Sequence, residues 1–536
     1  MSRSELFRKL AQTVQIAKYC QKHHICTSEG IERICAFEDM MSAQRIRRRE
    51  FLASMGKVAL ASGTIGIGSS CSSALAAPPS KDAKIAIVGA GLAGLACGYE
   101  LQRQGIKAIL YEASNRTGGR CYSLGDVFPG QVAERGGEFI DNLHKTMLGY
   151  VQEFKLELED LSKAPGEVFY YFDNQRYLEA AVVDEFRQFV DAMRDDLRTL
   201  GQPTADSFTA SDRILDYTNL QDYLNNRGAG NLIKNAIAAA YIGEYGVEIE
   251  QQSCLSFLFF IHADRRSKFR PFGVFSDERY HVVGGNQQIT TALQTRLQEQ
   301  IEYGKKLIAA SKDSAGKIEL IFNRGTSQKF DAVVFAIPFS VLREVDLKKL
   351  QLPQWKLNAI DNLVYGTNSK LMVGFNSRPW ATVGSNGSSY ANLPFLQGTW
   401  ETNPAKATDN SAVLTDYTGG NLGAQLNPKN LQQQTNNFLN NLVQVFPGAY
   451  KSTVQTNGDR FLAYLENWLL NPLTKGSYTS NQPGYFTTIA GNEGKPIDNI
   501  YFAGEHANSF YEWQGFMEGA AISGINAAKQ IINLFK

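Results

Sequence analysis

Cysteine and histidine are scarce in this chain, seven and six among 536 residues. Neither type falls into CxxC or HxxxH spacing, so no metal site and no disulfide framework is expected to organise the fold. An excess of one charge is missing too. The net charge is +1, which gives no electrostatic reason to expect a nucleic-acid partner. The apolar stretch from Val58 to Ile67 is too short for a mature membrane span. What is present is an ordinary globular composition, 43% hydrophobic and 20% charged, on a length that calls for two or more domains.

The most informative segment is Lys84-Ile-Ala-Ile-Val-Gly-Ala-Gly-Leu-Ala-Gly94. Ile85 to Val88 suit a buried parallel strand. Gly89 permits a sharp turn, Gly91 leaves room for a pyrophosphate against the backbone, and Gly94 lets a helix pack closely on the strand. That helix, from about Leu92 to Gln104, would point the N–H groups of Leu92 and Ala93 at the phosphates. A second strand, Ala108 to Tyr111, ends at Glu112, about 20 residues past the last glycine, where a carboxylate accepts from ribose hydroxyls. The pattern predicts a dinucleotide site.

Four further segments follow: Arg116-Thr-Gly-Gly-Arg120, Glu134-Arg-Gly-Gly-Glu-Phe-Ile140, Tyr501-Phe-Ala-Gly-Glu-His506 and Trp513-Gln-Gly-Phe-Met-Glu-Gly-Ala520. Together with the glycine turn they resemble the flavin amine oxidase family, which includes monoamine, polyamine and L-amino-acid oxidases. The resemblance covers about residues 84–536. It implies an α/β fold of two domains, a Rossmann-like FAD-binding domain with an inserted substrate domain of mixed sheet and helix. The cofactor pieces would be 82–146, 272–345 and 496–536, and the substrate pieces 147–271 and 346–495.

The resemblance also implies roles. Arg116, Gly119 and Arg120 would hold the diphosphate and ribityl part of FAD. Gly136, Gly137, Glu138 and Phe139 would lie along the flavin ring, and Leu307 would join the cofactor contacts. Glu505 would accept from ribityl hydroxyls. Gly515, Phe516 and Met517 open the last helix, whose N-terminus would stabilise charge on the reduced flavin. Ser477 stands where monoamine oxidases place the cysteine that links to the flavin, so FAD is expected to bind noncovalently.

On the substrate side, Tyr478 and Phe516 match the family's aromatic cage, with ordinary core packing as the alternative. Trp468 resembles the tryptophan that reaches the flavin face. Lys370 resembles the lysine that holds a water near flavin N5, where desolvation would lower its pKa; the alternative is a snorkelling surface lysine. L-amino-acid oxidases carry an arginine after the Gly-Gly pair; here Glu138, Phe139, Ile140 and Asp141 follow it, leaving Arg270 or Arg279 as other carboxylate grips. Asp141 stands near an acid that polyamine oxidases keep for a distal ammonium, which favours basic substrates. Glu138 and Asp141 read equally well as solvated loop acids.

The expected reaction is oxidation of a primary amine or L-amino acid to an imine, then a carbonyl and ammonia, with oxygen or a quinone as electron acceptor. The alternatives are a carbon–carbon desaturase or protoporphyrinogen-type oxidase, and a flavoprotein without turnover. A homodimer is compatible with the sequence.

Secondary-structure patterns predict mostly helix over 147–270, a turn and helix from Val283 to Leu297, and strands at Ile318–Phe322, Asp331–Ile337 and Lys370–Phe375. Residues 376–460 read as loops with one helix near Leu431–Phe446. A strand at Asn499–Ala503 and a helix to Phe535 complete the chain. Residues 1–45 read as a polar helical extension without a role, and Met40 or Met41 is an alternative start. Over 46–77, Arg47-Arg-Arg-Glu-Phe-Leu52, the short apolar stretch and Ala74-Leu-Ala76 resemble a twin-arginine export signal. It implies the twin-arginine translocation machinery as a partner and a periplasmic or extracellular site, with membrane association left open.

Overall fold

The computed structural model describes residues 83–161, 165–262, 279–403, 410–456 and 458–535, with isolated positions 17, 20, 21, 26 and 27. The expected export signal, nearly all of the 1–45 extension and Arg270 lie outside the described residues.

Among the described residues, five parallel strands form the first layer. Their order is Ile500–Phe502, Ala332–Phe335, Ile85–Val88, Ala108–Tyr111 and Ile301–Glu302. Every residue of Ile85–Val88 and Ala332–Phe335 is buried, which is why these strands read as unbroken apolar runs. Helix Leu92–Arg103 connects Ile85–Val88 to Ala108–Tyr111, and the terminal helix Met517–Leu534 packs on it. The approach is close: a Cβ on Gly524 would stand 2.1 Å from the Ala93 carbonyl oxygen, and one on Gly94 only 1.9 Å from that of Gly89. A four-stranded sheet containing Leu307–Lys312 and Ile318–Phe322 sits against this layer, where Phe322 and Phe330 meet the Tyr111 ring at 4.3 and 5.9 Å.

The second layer is, among the described residues, a mixed seven-stranded sheet. Its order is Ala463–Asn467, Ser369–Phe375, Ala412–Thr418, Leu396–Glu401, Ser385–Leu393, Glu167–Phe172 and Gln175–Tyr177. This corrects the expectation of loops over most of 376–460, and it adds the strands Glu167–Phe172 and Gln175–Tyr177 to the mostly helical 147–270. Ser385–Leu393 hides its strand character because small polar residues fill its buried faces. Ser389 and Thr399 share a hydroxyl hydrogen bond of 2.7 Å, and Thr399 donates to the Gly387 carbonyl at 2.8 Å. Satisfied hydroxyls can line a buried sheet without leaving a period-two apolar signal.

Helix Leu431–Val445 covers one face of this sheet. Its Phe438, Leu439 and Leu442 join Leu371, Val373 and Leu414 in one core. Strand alternation sends Lys370 to the opposite face, toward the first layer. The boundary expected at 146 falls inside the first layer: Met147, Tyr150 and Val151 of helix Lys145–Glu153 pack with Leu95 and Ala96, and Leu158–Asp160 pairs with Tyr280–Val282.

One clamp sets the segment between the layers. Asn286 donates its side-chain amide to the carbonyls of Gly137 at 3.1 Å and Glu138 at 2.7 Å, while its own N–H donates to Glu134 Oε1 at 2.7 Å. Gly136 passes so near Arg120 that a Cβ would meet its carbonyl oxygen at 1.7 Å. Burial pushes the Glu134 carboxyl up to about 7 from 4.5.

Two outcomes follow from this packing. Gly524→Ala must push apart a pair of helices whose backbones already touch, and should cost on the order of 1–3 kcal/mol in chemical denaturation of the holoenzyme. Glu134 stabilises the fold while protonated; that contribution is complete below the solvated carboxyl range and is lost as pH rises through about 7. Glu134→Gln should therefore lose less thermal stability than the parent between mildly acidic and mildly basic pH. The gap should be on the order of 1–3 kcal/mol, and parallel melting curves would contradict it.

Candidate active site

A cavity of about 420 Å³ lies between the two layers, within the usual range for small-molecule sites. At one end the turn of Gly89 and Gly91 leads into Leu92 and Ala93, with Glu112, Arg116, Gly119, Arg120 and Leu307 around it. At the other end stand Gly136, Gly137, Glu138, Phe139, Lys370, Trp468 and Tyr478, with Glu505, Gly515, Phe516 and Met517 from the C-terminal region. Of the described residues expected from sequence to form the site, Gly94, Asp141 and the alternative grip Arg279 do not line it. Gly94 acts through packing, as its contact with Gly89 shows.

The nucleotide end is built from backbone. Gly89 has φ +104°, and a Cβ there would meet the Ala336 carbonyl oxygen at 2.6 Å, so only glycine fits. Gly91 is different. A Cβ on it would find its nearest neighbour, Gly119 Cα, at 4.0 Å, so the space beside it belongs to the cavity. Helix Leu92–Arg103 has no capping side chain and no acid in its first turn, so its N–H groups and partial positive charge are available to an anion. The Glu112 carboxylate accepts from Ala90 N–H at 2.9 Å and Ser114 N–H at 2.8 Å, which ties the strand end to the glycine turn.

The second helix start is prepared similarly. Met517–Leu534 has no side-chain cap. Glu518 in its first turn instead accepts from the N–H groups of Thr146 and Met147, both at 2.8 Å. Glu505 braces the halves: Arg120 donates to one of its oxygens at 3.1 Å and Thr479 Oγ1 to the other at 3.0 Å, while Arg120 also donates to the Ser477 carbonyl. Ser477 is buried, and its hydroxyl donates to Asn368 Oδ1 at 2.6 Å. His506 also lines the cavity, with neither ring nitrogen bonded and its ring 4.3 Å from that of Phe339. Burial and the nearby cations Arg120 and Lys356 hold it well below the usual imidazole range, hence neutral.

The chamber around Lys370 differs from expectation. Lys370 is 6% exposed, not a snorkelling lysine. Its Nζ donates to Glu138 Oε2 at 2.6 Å, to Gly136 O at 2.9 Å and to Glu134 O at 3.1 Å. An ammonium has three hydrogens, and these three protein acceptors match them in number. Glu138 is accordingly no solvated loop acid; its other oxygen accepts from Trp400 Nε1 at 2.9 Å. Trp468 Nε1 donates to the Arg135 carbonyl at 2.8 Å and so steadies the same segment, while Arg135 itself pairs with Glu466. Tyr478 shares a 2.6 Å hydroxyl contact with Tyr417, and the Phe516 ring is set by His144 at 5.4 Å and Trp513 at 5.6 Å.

Asp141 requires a correction. It is fully buried and absent from the cavity wall; its Oδ1 accepts from Leu143 N–H at 2.6 Å, in the turn before helix Lys145–Glu153. A carboxylate two residues before an N–H at a helix entry satisfies the backbone locally. Arg279 is not in the wall either, being paired with Asp160 at 2.7 Å. Sequence reasoning missed Trp400, Tyr417, Asn368 and His506. The register Lys370↔Tyr417 would have found Tyr417 once the Ala412–Thr418 strand was recognised.

Known proteins resemble this chain in sequence and in fold. The L-amino-acid oxidase of Naja atra is 24% identical over 469 residues, covering 83% of this chain and 87% of that protein. Among solved structures, cyclohexylamine oxidase from Brevibacterium oxydans IH-35A shares the fold with TM-score 0.73 at 19% identity, over 84% of this chain and 99% of that one. Putrescine oxidase bound to putrescine gives 0.71 at 18% identity, with the same coverage. The sequence pattern described as flavin containing amine oxidoreductase matches residues 92–532, and the chain belongs to that family.

Proposed function

We propose that this FAD-dependent oxidoreductase oxidatively deaminates a primary amine or an L-amino acid. The products would be an imine, then a carbonyl compound and ammonia, with hydrogen peroxide or a reduced quinone. One observation carries the reading: a single cavity joins two uncapped helix starts, from the two ends of the chain, to an aromatic chamber holding one buried lysine.

The residues fit FAD. Gly91 leaves open space beside the first helix start, and the Gly136–Glu138 strip is pinned by Asn286 and Lys370. Bound FAD supplies two-electron oxidation of the C–H beside the amine, with oxygen or a quinone as final acceptor. The protein's share is orientation and electrostatics. The first helix start faces the diphosphate, the second favours negative charge at its own end, and Tyr478, Tyr417, Trp400 and Phe516 shield an amine from water. Ser477 offers no thiol at its position, which supports noncovalent binding. The case for basic substrates loses its residues, because Asp141 is outside the cavity and Glu138 is paired with Lys370.

Export by the twin-arginine route belongs to the same proposal. Its support is Arg47-Arg-Arg-Glu-Phe-Leu52 and Ala74-Leu-Ala76, together with the need to fold around a cofactor before crossing a membrane. Replacing Arg47, Arg48 and Arg49 by lysine should retain the protein on the inner side; unchanged export would end that portion of the proposal.

Two measurements test the enzyme. Anaerobic mixing with a suitable amine or amino acid should bleach the flavin band near roughly 450 nm, and silence across a broad panel of both would refute the activity. Gly91→Ala has room in the protein but none beside a diphosphate. It should fold, melt cooperatively as apoprotein and retain FAD at least about tenfold more weakly; parental FAD affinity would show that the cofactor lies elsewhere.

A further inference from the structure

The proposed activity admits both amines and amino acids, and the chamber distinguishes them. An amino acid brings a carboxylate into a place from which water is excluded. Burying that charge without a cation costs several kcal/mol on the usual scale. The cation must also have an unspent hydrogen to donate.

The chamber's cation is Lys370, and its hydrogens are committed to Glu138, Gly136 and Glu134. Glu138 is itself committed on both oxygens, to Lys370 and to Trp400. The pair is therefore neutral as a unit and offers an anion no uncompensated charge. Aromatic rings surround it. Lys370 Nζ lies 5.7 Å from the Trp400 ring centre and 5.9 Å from that of Tyr417. Trp400 in turn meets Phe139 at 5.5 Å and Tyr417 at 5.3 Å. Ring faces carry negative potential and repel an anion. Of the arginines along the wall, Arg120 is paired with Glu505 and Arg135 with Glu466, while Arg116 donates to the carbonyls of Thr117 at 3.1 Å and Gly119 at 2.9 Å, in the glycine-doublet loop.

We infer that Glu138 is a specificity-determining residue: by neutralising Lys370 it makes the chamber reject substrates that carry a carboxylate beside the amine. The substrate class is then primary amines without that carboxylate. This rests on the amine-oxidising activity proposed above. Glu138 acts by occupying the cation, not by gripping a distal ammonium.

Glu138→Gln keeps the side chain's length and an oxygen for Trp400 while removing the charge. Lys370 then lacks its counter-charge, and an entering carboxylate would supply one. The first readout is binding of benzoate to the oxidised holoenzyme, followed by the shift of the flavin visible bands. Glu138→Gln should bind benzoate at least about tenfold more tightly than the parent, and the double variant Glu138→Gln/Lys370→Met should lose that gain. The second readout uses matched pairs, phenethylamine with L-phenylalanine and tyramine with L-tyrosine. The parent should favour the amine of each pair in kcat/KM by at least about tenfold, and Glu138→Gln should narrow that ratio.

Equal or greater parental kcat/KM for the amino acids would overturn the inference, as would unchanged benzoate affinity in Glu138→Gln. Flavin content of each purified variant reports whether it has folded. If Glu138→Gln does not fold, the matched pairs on the parent still decide. Failure of every amine and amino acid to reduce the flavin would instead sink the activity itself, a different result from a preference for amino acids.

Discussion

Two backbones in this protein pass closer than any side chain allows, and the site depends on that contact. Gly524 in the last helix rests on the Ala93 carbonyl in the first, and Gly94 rests on the turn at Gly89. The contact brings residues more than four hundred positions apart in sequence to one place. Because the helices touch, their starts open into the same cavity, one at Leu92 and one at Met517. Each start is left uncapped by side chains.

Charge inside the cavity is handled in pairs drawn from distant segments. Arg120 meets Glu505, Arg135 meets Glu466 and Lys370 meets Glu138. Buried pairs of this kind add little net stability, because desolvation offsets attraction. Their effect is to specify geometry. Each pair joins the Gly-Gly segments near Arg120 and Gly136 to a strand or turn from elsewhere in the chain, so the cofactor strip cannot slide without exposing an unpaired charge. His506 and Glu134 fit the same economy: where no partner of opposite charge is supplied, burial favours the neutral form.

Lys370 shows how sheet geometry assigns function. On the strand Ser369–Phe375, Leu371 and Val373 face the helix-covered core, and Lys370 faces the cavity. Tyr417 is its register partner on the next strand and Trp400 comes from the strand beyond. The chamber wall is thus one sheet face presented to the first layer, and a shift of one residue in register would replace it with core residues.

The glycines, the acid at Glu112 and the C-terminal segment were legible in the sequence, and so were the family, the cofactor and every strand of the first layer except Ile301–Glu302. These features answer local demands: a positive φ at Gly89, an apolar strand, a helix start. Local demands leave local marks. The partners of Lys370, the seclusion of Asp141 and the sheet built from Ser385–Leu393 were not legible. They depend on which strands lie side by side and which polar groups satisfy one another across them. The sequence by itself determined what kind of molecule is bound and where the turns that hold it lie. Only the tertiary structure decided which charges remain for a substrate, because pairing and burial are properties of neighbours that the chain order does not reveal.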